Sequence, residues 1–157
     1  MKHTDIKDIF ASHASYVGKN TVVCGWVRTS RNSKNVAFVE LNDGTCVKNL
    51  QVVIDKEKFD SKVENAFSVG TAVKMEGVIV ESAGNVCELA LSNYTILGES
   101  PVDYPLQKKR HSLEFLRTMP HLRVRTNTFL NVQRVRSALA YATHTYFQQN
   151  GFAYINA

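Results

Sequence analysis

The chain has 157 residues, with 19 Lys and Arg against 14 Asp and Glu and a formal net charge of +5. At 44% hydrophobic and 21% charged residues it has the balance of a globular protein able to bury a core, and room for one domain plus part of another. That balance excludes a disordered, collagen-like or disulfide-scaffold chain, while no apolar run reaches the roughly 20 residues of a membrane span and no signal-peptide core opens the sequence.

The first expected element is a short amphipathic helix capped by Thr4, with Ile6, Ile9 and Phe10 on its apolar face. A strand follows through Val22-Val23-Cys24-Gly25-Trp26-Val27-Arg28, with Trp26 expected in the core. The polar turn Asn32-Ser33-Lys34-Asn35 leads into a second strand, Val36-Ala37-Phe38-Val39-Glu40-Leu41, and Asn42-Asp43-Gly44 marks the next turn. Leu50-Gln51-Val52-Val53-Ile54 is the third strand. Phe59, Val63 and Phe67, four apart, predict a short helix over 56–67. Strand-like runs return at 71–80 and 86–97, around the turn Ser82-Ala83-Gly84-Asn85. Three strands, a helix and two strands make a mainly β fold, the order of a five-stranded OB barrel.

Pro101 and Pro105 mark a linker. Beyond it Val132, Val135, Leu139, Ala142 and Tyr146 repeat at three and four, the stripe of a long amphipathic helix. Thr126 or Thr128 caps its start and Asn150-Gly151 stops it, after which residues 152–155 read as the start of a strand. The expected organisation is a barrel at 1–103, a basic linker at 104–125 and an unfinished unit at 126–157, since one helix and one strand cannot bury their own apolar faces.

Charge follows the same division. Residues 1–106 carry 11 Lys and Arg against 13 Asp and Glu. Residues 107–136 then hold Lys108, Lys109, Arg110, Arg117, Arg123, Arg125, Arg134 and Arg136 against Glu114 alone, a net of +7, and nothing after 136 is charged. Lys108, Lys109, Arg110 and Arg117 are candidates to meet a nucleic-acid backbone, where each phosphate contact adds salt-dependent affinity; the other reading is a solvated linker. Cys24, Cys46 and Cys87 are odd in number, form no C-x-x-C pair and lie in apolar stretches. They read as buried free thiols of a reduced, cytosolic protein with no metal site. His3 and His13 read as surface residues and His144 as a residue of the long helix's polar or interface side, while His111 and His121 help order the linker.

Alternation in the strands separates core from display surface. Ala37, Val39 and Leu41 share one face, as do Leu50, Val52 and Ile54, and Cys87, Leu89 and Leu91; Phe38, Gln51 and Glu88 then point outward. Arg28 and Arg31 stand at the end of the first strand. A ring stacks on an unpaired base, an amide and a carboxylate read base edges, and guanidinium groups hold phosphate or stack. The alternative is that Phe38 covers a second layer of core and its polar neighbours are merely solvated.

Cys24-Gly25-Trp26-Val27-Arg28, Phe38-Val39-Glu40-Leu41-Asn42-Asp43-Gly44 and Leu50-Gln51-Val52-Val53 resemble the N-terminal anticodon-binding OB domain of the class IIb aminoacyl-tRNA synthetases, the aspartyl, asparaginyl and lysyl group. His111-Ser112-Leu113-Glu114-Phe115-Leu116-Arg117, with His121-Leu122-Arg123-Val124-Arg125-Thr126-Asn127 after it, is similar to the asparaginyl branch in particular. Residues 132–155 resemble class II motif 1, a long helix and a strand at a dimer interface. The resemblance implies that Phe38 stacks on the central anticodon base, a uracil, and that Gln51 reads it. It places Arg31 on the anticodon loop and Glu88 near the first anticodon base, and makes Val132, Val135, Leu139, Ala142 and Tyr146 a homodimer face.

Motif 1 in that family closes on a proline expected just where this chain reaches Ala157, and motifs 2 and 3 are absent. The expectation is therefore the N-terminal fragment of a longer cytoplasmic enzyme, without catalytic residues or cofactor of its own and inactive alone. The parent would join asparagine to tRNA(Asn) through an asparaginyl-adenylate, using ATP and Mg2+. Two alternatives stand beside it: a free-standing OB-fold module for single-stranded nucleic acid, and a fragment from the aspartyl branch.

Overall fold

The structure, a computed structural model, describes residues 2–59, 63–101 and 103–156. The chain divides into two compact units, Met1–Lys109 and Arg110–Ala157.

In the first unit, helices α1 (Ile6–Ala11) and α2 (His13–Tyr16) precede β1 (Asn20–Asn32), β2 (Val36–Asn42) and β3 (Leu50–Asp55); β4 (Ala72–Val80) and β5 (Glu88–Gly98) follow. The antiparallel pairs β1–β2, β2–β3, β4–β5 and β1–β4 and the parallel pair β3–β5 give every strand two neighbours, so the sheet closes as β1-β2-β3-β5-β4. This is the five-stranded OB architecture the strand order predicts. The helical segment between β3 and β4 consists of two 3₁₀ turns, Lys56–Lys58 and Val63–Ala66; residues 60–62 of the predicted helix lie outside the described residues.

The inward set is the one alternation assigns. Ala37, Val39, Leu41, Leu50, Val52, Ile54, Cys87, Leu89 and Leu91 are all buried, joined by Val23, Val27, Val73, Met75 and Ile79. Ile6 and Ile9 of α1 and Val63 and Phe67 complete this core, and Tyr94 packs edge-on against Phe67 with ring centroids 5.0 Å apart. Each Val, Leu, Ile, Met or Phe among them contributes about 1.5–3 kcal/mol by leaving water.

Four expectations are corrected. Asp5, not Thr4, is the cap residue of α1, and its side chain makes no cap hydrogen bond. The helix start is instead held from 37 residues away: Ile6 N–H donates to Asp43 Oδ2 at 2.7 Å. An orphan donor at a helix start takes whatever acceptor the fold supplies. Trp26 is 41% exposed, not core, because it shares the outward phase of β1. Of the thiols only Cys87 is buried; Cys24 and Cys46 are half-covered. Residues 152–155 form no strand, since a strand needs a partner for its backbone groups.

In the second unit, Ser112 caps α3 (Leu113–Arg117), its Oγ accepting from Phe115 N–H at 3.1 Å, and His111 stacks on Phe115 at 5.2 Å. A 3₁₀ turn, Arg123–Arg125, leads to Thr126, which occupies the cap position of α4 (Asn127–Gln149). At the other end Gly151 adopts φ +84°, Phe152 N–H donates to the Phe147 carbonyl and Gly151 N–H to the Gln148 carbonyl, the paired bonds of a Schellman stop. Phe152 folds back edge-on to Phe147 and Tyr154 to His144.

Candidate nucleic-acid interface

The outer surface of the barrel over β1, β2, β3 and β5 is organised in two cross-strand rows. Directly opposed residues point to the same side. One row runs Thr29, Glu40, Gln51, Glu88 and the other Arg31, Phe38, Val53, Ala90. Phe38 and Gln51 are therefore diagonal neighbours, within reach of one bound planar group.

A β-bulge puts Arg31 on this face. Thr21, Val23 and Val27 are buried, so strict alternation along β1 sends residues 29 and 31 inward. The register shifts between Val27 and Thr29: Val27 pairs with Leu41, but Thr29 pairs with Glu40, leaving Arg28 as the extra residue. The phase inverts, and Arg31 comes opposite Phe38 with its Cζ 6.0 Å from the ring centroid.

Arg31, Asn32, Ser33, Phe38 and Gln51 line a pocket of about 350 Å³. A second pocket of about 560 Å³ shares Gln51 and continues over Glu40, Lys48, Asn49, Asn85 and Val86. Gln51 Nε2 donates to Glu88 Oε1 at 3.0 Å, a contact made possible by the parallel pairing of β3 with β5. The predicted Phe38, Gln51 and Arg31 are thus brought together with Glu88 beside them. Arg28 sits in the bulge and does not line the pocket.

The loop beside the second pocket is built on two side chains that the sequence shows only as a turn. Asn42 Nδ2 donates to the Cys46 and Lys48 carbonyls, each at 3.2 Å, and to Asn49 Oδ1 at 3.0 Å, while its Oδ1 accepts from Gly44 N–H. Asp43 Oδ1 accepts from the Thr45 amide and hydroxyl. Asn49 Nδ2 then donates to Glu40 Oε2 at 2.9 Å. Asn49, Ser82 and Asn85 carry no signal of their own in one sequence, because they reach the face through loops.

Around the site, burial and then the nearby charge of Glu88 push the Cys87 thiol up. Burial also raises Cys24, against the pull of Lys74. On the outer surface of β4 a hydrogen bond from Lys74, and then its charge, hold the Glu76 carboxyl below the ordinary value of 4.5. Among the described residues no group of three His, Cys, Asp or Glu is gathered to hold a metal ion, and no helix is long and apolar enough to cross a membrane.

Lys108 and Lys109 close the first unit, Arg110 and Arg117 belong to the second, and all four are exposed. The α4 stripe is open as well: Val132, Val135, Leu139 and Tyr146 are each more than half exposed, and Ala142 is exposed with them.

Residues 21–97 match the family model described as an OB-fold nucleic acid binding domain. Over 159 residues the chain is 51% identical to the asparagine--tRNA ligase of Acetivibrio thermocellus, covering 99% of this chain and 34% of that protein. It is 44% identical over 158 residues to the asparagine--tRNA ligase of Clostridium tetani, again covering 99% of this chain and 34% of the relative. The chain therefore spans about a third of the curated relatives it matches. The crystal structure of asparaginyl-tRNA synthetase from Pyrococcus horikoshii superposes with a TM-score of 0.83 over 99% of this chain and 37% of that one, at 18% identity, a likeness of fold.

Proposed function

We propose that the chain belongs with the asparagine--tRNA ligases it resembles and recognises the anticodon loop of tRNA(Asn) for an enzyme that attaches asparagine to that tRNA. The observation that carries this reading is the outward Phe38 ring sharing one pocket with Arg31 and Gln51. Phe38 stacks on the central uracil of the anticodon. Gln51 meets the polar edge of that base, and Arg31 holds the loop by charge and by guanidinium stacking. Glu88 stands toward the first anticodon base, with Arg28 a contributor from the bulge. Exposed Lys108, Lys109, Arg110 and Arg117 add contacts to the tRNA backbone.

In this reading residues 1–103 are the anticodon-binding domain, 104–125 a basic connection and 126–157 the opening of a class II catalytic domain. The uncovered stripe of Val132, Val135, Leu139, Ala142 and Tyr146 supports a homodimer face in the full-length enzyme, since a stripe more than half exposed loses apolar area to water until a partner covers it. The full-length enzyme works in the cytoplasm and activates asparagine with ATP and Mg2+ through asparaginyl-adenylate; nothing in this chain's pockets is assigned to that chemistry.

The test is direct binding of the chain to an anticodon-stem-loop hairpin with a central uracil, against hairpins changed only at that base. Preference for uracil at fixed salt is expected. Equal affinity for every loop sequence refutes the reading.

A further inference from the structure

Gln51 lies between two carboxylates, opposite Glu40 on β2 and opposite Glu88 on β5. Glu40 is engaged from outside the row, through Asn49 and, behind it, Asn42. Glu88 is engaged from the β4–β5 connection. Ser82 Oγ accepts from Gly84 N–H at 3.3 Å and Asn85 N–H at 3.2 Å, so its one hydrogen is left for Glu88 Oε1, to which Asn85 Nδ2 also donates at 3.1 Å. Two loop donors thus hold Glu88 Oε1 in place without help from Gln51, and Gln51 Nε2 adds the third bond to the same oxygen. A carboxylate only accepts, so the end of the Gln51 amide facing Glu88 is its NH2 end. The carbonyl Oε1 is the end left for the pocket that Gln51 shares with Phe38 and Arg31.

We propose that Glu88 is a positioning residue for the central base: by holding the NH2 end of Gln51, it makes that amide an acceptor toward the ring stacked on Phe38. The inference rests on the reading of this face as the anticodon site, and goes beyond it by assigning Glu88 an action through Gln51. Uracil and cytosine stacked in one pose differ at N3, which is an N–H donor in uracil and a lone pair in cytosine. An amide free to rotate satisfies either base. An amide with its NH2 end tied presents oxygen, which pairs with the uracil N–H and opposes the cytosine lone pair.

The experiment is a double-mutant cycle on the 157-residue chain with Glu88→Ala and Gln51→Ala. Its readout is the ratio of affinities for two stem-loop hairpins that differ only in a central uracil or cytosine. A contact between Glu88 and any other nucleotide cancels in that ratio. Glu88→Ala takes the acceptor away and leaves the Gln51 amide free to turn either end to the base, so the uracil preference is expected to fall about tenfold, the size of one lost base-edge discrimination. Gln51→Ala is expected to lower it as far, and the double variant no further. Independent losses that multiply in the double variant overturn the inference, as does an unchanged preference in Glu88→Ala. An unchanged preference in Gln51→Ala overturns the reading of the face itself, and the inference with it. A second measurement needs no substitution: in the nitrogen-15 spectrum of the parent chain, one Gln51 side-chain amide proton is expected downfield, bound to a carboxylate. Two protons at free-amide positions overturn the proposal.

Discussion

Phe38→Ala separates the outer face of the barrel from its core. Phe38 is half-buried on β2 between Ala37 and Val39, which are 1% and 0% exposed and point the other way, so truncation leaves the packed interior intact. Arg31 Cζ lies 6.0 Å from the ring centroid, at the outer limit of a cation–π contact. At an exposed site that contact is worth about 0.5–1 kcal/mol, and truncation loses it together with the apolar area the half-buried ring covers. Stacking of a base on the ring is worth about 1–3 kcal/mol. Phe38→Ala is therefore expected to weaken binding of the uracil-centred hairpin roughly 5- to 150-fold, at about 1.4 kcal/mol per tenfold. Fluorescence anisotropy at one fixed ionic strength measures it, because phosphate contacts elsewhere shift with salt. Phe38→Leu, which keeps apolar area but no π face, is expected to recover only part of the loss. Unchanged affinity in Phe38→Ala, in a variant that melts like the parent, refutes a stacking role for this ring.

Other expectations concern the scaffold under the site. Asp43→Ala removes the acceptor for Ile6 N–H and for Thr45, and is expected to cost about 1–2 kcal/mol, the size of a lost helix cap, in chemical denaturation; Asp43→Asn is expected to recover part of it. Gly77→Ala is expected to destabilise the barrel by about 1–3 kcal/mol in the same assay, since a Cβ there falls 2.1 Å from the Ala90 carbonyl oxygen, a backbone atom that cannot step aside. The Lys74–Glu76 pair gives a dependence on pH. The Glu76 carboxyl is held below 4.5 in the folded chain, so its contribution is present above that value and lost as pH falls through the lowered pKa. Denaturation midpoints of Glu76→Gln and the parent are therefore expected to converge on acidification.

Local pattern alone settles much of this chain. Strict alternation in Val36–Asn42 and Leu50–Asp55 separates the buried aliphatic set from Phe38 and Gln51, because a half-buried strand repeats every two residues whatever lies beyond it. The same holds for α4: Gly151 stops the helix through its own backbone at φ +84°, and an apolar stripe repeats at three and four. Tertiary structure decides what no local period carries. The extra residue at Arg28 inverts the phase of β1 and brings Arg31 opposite Phe38, where alternation turns it inward. Parallel pairing of β3 with β5 sets Gln51 beside Glu88, 37 residues later, and Asp43 serves a helix start 37 residues earlier. Burial follows from side-chain periodicity, which each segment carries alone. The identity of a polar side chain's partner depends on closure of the whole sheet, and so the face is legible in the sequence while the hydrogen bonds that orient it are not.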